Sequence, residues 1–122
     1  MLYVLTFGGD PLTLDCLPPE EAARASEDLD LWWRHNRRWG RILTRARLSA
    51  PVTATTIRFE GSRALLHDGP FVPEREAVGG YAIVRVADLN EAVALACSWP
   101  AGGYVEIRPL LDSDGAPEMP DR

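Results

Sequence analysis

The chain of 122 residues is 46% hydrophobic and 25% charged, enough apolar material for one core and too much for a disordered chain. Its formal net charge of -5 at pH 7 opposes attraction to phosphate backbones and anionic membranes, so neither nucleic acid nor a membrane is an expected partner. No apolar run approaches the ~20 residues of a membrane span, and residues 1–8 lack the basic start and cleavage site of a signal peptide; a cytoplasmic protein is expected.

The first element is the run LYVLTFGG, apolar on both faces, with Leu2 and Val4 on one and Tyr3, Leu5 and Phe7 on the other. A strand of this kind belongs in the middle of a sheet, and Gly8-Gly9 ends it. After a loop, Pro19 followed by Glu20 and Glu21 reads as a first helical turn. Ala22, Ala25, Leu29, Trp32, Trp33, Asn36 and Trp39 then recur at helical spacing, which predicts a helix over 19–39. Its three tryptophans read as core or dimer contacts rather than as a cofactor box.

RILTRARL continues as a strand and SAPVTA as a bridge. The segment TTIRFE-GS-RALLHD alternates about Gly61-Ser62, the pattern of a tight hairpin, with Glu60 facing Arg63, Ile57 facing Leu66 and Thr56 facing His67. GGYAIVRVA is a further strand. Asp88 and Glu91 form a capping-box start to a second helix, with Leu89, Ala92, Val93 and Ala96 on one stripe, ended by Trp99-Pro100. YVEIRPL is the last strand, with Val105 and Ile107 on one face and Tyr104, Glu106 and Arg108 on the other. Residues 1–111 are thus expected as a single domain, and 112–122 (DSDGAPEMPDR) as a flexible acidic tail.

Charge is uneven along the chain. Arg34, Arg37, Arg38, Arg41, Arg45 and Arg47 crowd one segment, and Glu20, Glu21, Glu27, Asp28 and Asp30 precede it. Cations near a helix C-terminus and an Asp30–Arg34 pair at i,i+4 spacing explain this as a solvated helix end; an anion or partner patch is the other reading. Cys16, in a loop, and Cys97, in a helix, have no CxxC spacing and no neighbouring histidine, so reduced thiols and no metal set are expected.

Strand-helix-strand units flanking a hairpin give an α+β fold, a ferredoxin-like split βαβ with an added β-hairpin, whose two helices share one sheet face. The other face needs a cover. A second copy of the chain is the simplest, so a homodimer is expected, with Tyr104, Glu106 and Arg108 projecting into the space between subunits.

The segments TATTIR, DGPF (Asp68–Phe71), REAVGGYAIVRVADLNEAVALACSWP and YVEIRPL, in this order over about residues 1–110, resemble the DGPF or YCII-related family of small bacterial proteins. The resemblance implies a dimeric α+β barrel with a cleft between the sheet and the partner. For a minority of relatives it implies chemistry on small, often aromatic molecules through a polar pair. It also implies possible association with a sigma factor of the extracytoplasmic-function class. By matching position, Asp68, Gly69, Pro70 and Phe71 are the signature; Glu76 and Gly79-Gly80 fit the return to the sheet, and Glu106, Arg108 and Pro109 the closing strand. His67 stands where relatives commonly carry a small hydroxyl residue and Pro73 where they often carry an acid, so His67 inherits no family role. His35 is no convincing counterpart of the helix histidine of the narrower YCII group.

By chemistry alone, the Asp68 carboxylate and its neighbour His67 are candidate acid/base groups. The structural alternatives are that Asp68 accepts backbone N–H bonds at a turn, Gly69 takes torsions closed to other residues, Phe71 plugs the core, and His67 bonds a hydroxyl such as Thr56. Glu106 and Arg108 either pair with each other or present a carboxylate and guanidinium to a ligand, which Phe71, Glu76 and Tyr104 would help to bind. Two function classes remain open. In one, a dimeric barrel with a cleft for a small organic, anionic or phenolic molecule runs acid/base chemistry without metal or organic cofactor. In the other, a non-catalytic module senses a ligand or docks a partner such as a sigma factor.

Overall fold

In the computed structural model, which describes residues 1–9, 18–73 and 76–111, the first strand β1 (Leu2–Gly8) buries Tyr3, Leu5 and Phe7 and leaves Leu2, Val4 and Thr6 half-buried. The chain continues through α1 (Pro19–Arg38), β2 (Ile42–Arg47), a 3₁₀ turn (Pro51–Thr53), β3 (Thr55–Glu60), β4 (Arg63–Asp68), β5 (Val78–Arg85), α2 (Leu89–Cys97) and β6 (Tyr104–Pro109). Four strands form an antiparallel sheet in the order β2-β5-β1-β6, with β1 at its centre; β3 and β4 pair only with each other. This is the ferredoxin-like α+β arrangement, with the hairpin inserted between β2 and β5.

Register fixes what each face carries. Leu5 sits opposite Ala82 of β5 and Ile107 of β6, and Phe7 opposite Gly80 and Val105, so these residues share one face. Ala92 and Leu95 of α2 join Trp32 and Trp33 of α1 in the same core, which places both helices on that face. The opposite face carries Val4, Thr6, Tyr81, Ile83, Tyr104, Glu106 and Arg108, as alternation along the strands requires.

Helix α1 begins with Pro19 at its first position and acids in its first turn, where the helix dipole favours them. It ends at Arg38, one residue before the expected limit. Gly40, at φ 75°, turns the chain, with its N–H donating to the Arg37 carbonyl. Trp39 is thereby taken off the stripe and is 68% exposed, so of the three helix tryptophans only Trp32 and Trp33 are core. The buried Asn36 is satisfied: its amide donates to the Trp32 carbonyl at 2.8 Å, and its oxygen accepts from Arg41 at 3.3 Å. The expected Asp30–Arg34 ion pair is absent. Arg34 Nε donates instead to the Asp30 backbone carbonyl at 3.4 Å, an exposed contact of small worth.

Helix α2 has the capping box: Asp88 Oδ1 accepts from the Glu91 N–H at 2.9 Å, and Glu91 Oε2 from the Ala87 N–H at 3.0 Å. The helix stops at Cys97, whose thiol is exposed, and Trp99 folds back under the sheet. Cys16 and residues 112–122 lie outside the described residues. No helix among the described residues is long and apolar enough to cross a membrane.

Candidate functional site

Four aromatic rings meet at one end of the core. Phe7 stacks on Trp99 with 4.0 Å between centroids, and Trp32 and Trp33 present their edges to Phe7 at 6.1 and 5.7 Å. Trp32 Nε1 donates to Ser98 Oγ at 2.8 Å, which satisfies the buried indole and ties α1 to the end of α2.

Beside this cluster the packing opens. In the row Arg47, Gly80, Phe7, Val105 strand β5 contributes no side chain, and α1 lines the space with the small residues Ala25 and Ser26 besides Leu29, Asp30 and Trp33. Small residues on two facing elements leave a cavity of about 550 Å³ between α1 and the sheet. Phe7, Trp33 and Trp99 form its apolar wall, the glycines Gly8, Gly9, Gly79 and Gly102 part of its rim, and Arg45, Arg47 and Asp30 its charged groups. Its size is that of a site for a small organic molecule. The Arg45 guanidinium carbon stands 4.6 Å from the centroid of the Trp33 ring, a cation–π contact.

None of the candidate catalytic or ligand-binding residues, Asp68, His67, Phe71, Glu76, Tyr104, Glu106 and Arg108, lines this cavity, although the arginine segment, weighed as an anion or partner patch, supplies Arg45 and Arg47 to it. Tyr104, Glu106 and Arg108 lie on the opposite, open face of the sheet. There the Tyr104 hydroxyl donates to the Glu76 carbonyl at 2.9 Å, so these two do meet, through the Glu76 backbone rather than its carboxylate. The ring crosses directly over Gly8, where a Cβ would overlap it. Glu106 and Arg108 are both exposed and no ion pair joins them among the described residues.

The hairpin has the expected register, with Thr56 opposite His67, Ile57 opposite Leu66 and Glu60 opposite Arg63. Its hydrogen bonds differ from expectation. Thr56 Oγ1 donates to the Gly69 carbonyl at 2.7 Å rather than bonding His67, and the Gly69 N–H donates to the Ala54 carbonyl at 2.8 Å. These two bonds close the end of the hairpin, and Gly69 takes φ 117° there, a torsion that side chains resist. Among the described residues no hydrogen bond engages the Asp68 carboxylate, so the turn is held by backbone and Thr56 instead. Phe71 does not plug the core: it is 70% exposed, 5.5 Å from the Arg58 guanidinium. Asp68, His67 and Phe71 therefore stand together at one end of an exposed hairpin, away from the cavity.

Arg45, Arg47, Trp33 and Trp99 were open to sequence reasoning as an arginine-rich strand and a tryptophan stripe, but each had a simpler structural explanation. The signal that joins them is the set of small residues Ala25 and Ser26 on α1 and Gly79 and Gly80 on β5, which line the same cavity and are far apart in sequence. Among the described residues no three His, Cys, Asp or Glu side chains gather as a cation site.

A four-stranded antiparallel sheet with two helices on one face and an inserted hairpin defines a small α+β domain of the ferredoxin-like type. The YCII-related domain model matches residues 1–113, and the chain belongs to that family. It is also similar to an uncharacterized protein of Rhizobium meliloti (strain 1021), 30% identical over 114 residues that cover 90% of this chain and 92% of that one.

Proposed function

We propose that the protein binds a small organic molecule in the cavity between α1 and the sheet, and that it works as a cytoplasmic homodimer joined through the open sheet face and the hairpin. The observation that carries the reading is the cavity itself: about 550 Å³ walled by Phe7, Trp33 and Trp99 with Arg45 at its edge. Apolar walls with a few convergent polar groups are the general form of a small-molecule site. Ligand binding is the primary role. Acid/base chemistry by Asp68 and His67 requires a second copy to bring that pair to a ligand, because both stand outside the cavity of their own chain.

Partner docking is the second reading. It rests on the end of α1, where exposed Trp39 follows His35, Arg37 and Arg38, and its partner class is the sigma factor suggested by family resemblance.

A fragment series of aromatic, aliphatic and charged compounds, titrated while tryptophan fluorescence is recorded, tests the binding role. A saturable change with at least one fragment, lost in the cavity-filling variant Ala25→Phe, supports it. No saturable response at millimolar fragment, where binding is worth about 4 kcal/mol, would count against it.

A further inference from the structure

The charge of the cavity is opposite to that of the protein. The chain carries a formal -5, yet the charged groups lining the cavity are Arg45 and Arg47 from β2 and a single acid, Asp30, from α1. Both arginines belong to the helix-covered face, because Arg45 is opposite Ala82 and Arg47 opposite Gly80 in the sheet. Neither is engaged in an ion pair or side-chain hydrogen bond among the described residues; the one ion pair there is Arg41–Glu91. Two cations on successive same-face positions of an edge strand, beside one acid, make this wall attractive to an anion.

The geometry of Arg45 says more. A guanidinium held over an indole by a cation–π contact spends none of its five N–H donors on a hydrogen bond. The contact with Trp33 therefore fixes Arg45 without consuming the edge that binds a carboxylate in bidentate fashion. The wall beside it is aromatic and largely dry: Phe7 and Trp33 are buried, and Trp99 packs against them. A compact, strongly hydrated anion gains nothing from such a wall, whereas a flat ring does.

We infer that Arg45 and Arg47 are the anion-recognition pair of this cavity and that its ligand is a flat organic carboxylate, its ring against Phe7, Trp33 and Trp99. This rests on the cavity reading given above and names the ligand class for it. Arg45 supplies the in-plane fork and Arg47 adds charge at the rim. Arg45→Lys keeps the charge and loses the fork, so it separates recognition geometry from simple attraction.

Equilibrium dialysis of the full chain with 2-naphthoate and its neutral isostere 2-naphthamide tests the inference. The native protein is expected to hold the carboxylate at least tenfold more tightly than the amide, and inorganic phosphate at equal concentration is expected not to displace it. Arg45→Gln with Arg47→Gln should erase the preference, and Arg45→Lys should retain part of it. Ala25→Phe should abolish binding of both probes. Equal affinity for the two probes, displacement by phosphate, or an undiminished preference in the double variant overturns the inference and leaves the cavity reading standing. Binding of neither probe also overturns the inference, whereas binding that survives Ala25→Phe removes the cavity reading itself. Circular dichroism of each variant checks the fold, which the exposed Arg45 and Arg47 changes should leave intact and the change at half-buried Ala25 puts under more strain.

Discussion

The rings of Phe7 and Trp99 stack with 4.0 Å between centroids and 25° between planes, joining the first strand to the segment that follows the last helix. Trp32 and Trp33 close on the same pair, so four rings from three parts of the chain share one contact cluster. Phe7→Ala should cost about 3–5 kcal/mol in urea unfolding, the range for a large buried ring. Trp39→Ala, an exposed change, should stay within about 0.5 kcal/mol. Similar losses in the two variants would show that this cluster is not the centre of stability.

The capping box of α2 is independent of that cluster. Asp88→Ala removes an acceptor for the Glu91 N–H and should cost about 1 kcal/mol, while Asp88→Asn should cost much less because asparagine caps nearly as well. Thermal unfolding of the two variants checks this. Equal losses would mean that the carboxylate charge, not the cap bond, matters.

The sheet and both helices were legible because each follows from local pattern. Alternation in Leu2–Phe7 fixes which residues face the helices, the Gly61-Ser62 turn fixes the hairpin register, and Asp88 with Glu91 fixes the start of α2. The site was not legible for a related reason. A cavity is made by what side chains leave empty, and Ala25, Ser26 and Gly80 acquire meaning only once helix and sheet are packed together so that all three line one space. The signature around Asp68 drew attention because it is distinctive in sequence. In the structure it forms a turn at the end of the hairpin, where Gly69 at φ 117° and the Thr56 hydroxyl hold the chain. Trp39 keeps the helical spacing but stands one residue past Arg38, where the helix ends and Gly40 turns the chain.

That reading of the turn has consequences for mutation. Gly69→Ala forces a side chain into a left-handed torsion and should cost about 1–3 kcal/mol. Thr56→Val removes the bond to the Gly69 carbonyl and should cost about 1 kcal/mol. Asp68→Asn and His67→Thr should each change stability by about 0.5 kcal/mol or less, as exposed residues. Neither should alter dialysis of 2-naphthoate. Lost binding in Asp68→Asn would show that the hairpin carboxylate reaches the ligand, and a second copy would have to deliver it.

The hairpin also supplies the test of assembly. Ile57, Phe59 and Leu66 lie on one of its faces by register, Phe59 76% and Leu66 70% exposed, and β3 and β4 pack chiefly on each other. Among the described residues no layer covers this apolar face, nor the sheet face that carries the half-buried Val4, Tyr81 and Ile83. Both surfaces are buried at once if two copies meet, and apolar area removed from water stabilises at about 25 cal/mol per Å². Light scattering at micromolar protein should therefore report about twice the 13.5 kDa chain mass. Phe59→Glu should halve that mass, because a charge in the contact is costly, while leaving the exposed site of the single chain unstrained. A native mass equal to one chain, with the hairpin still protected from proteolysis, would show that the apolar face is covered within the chain and would end the dimer proposal.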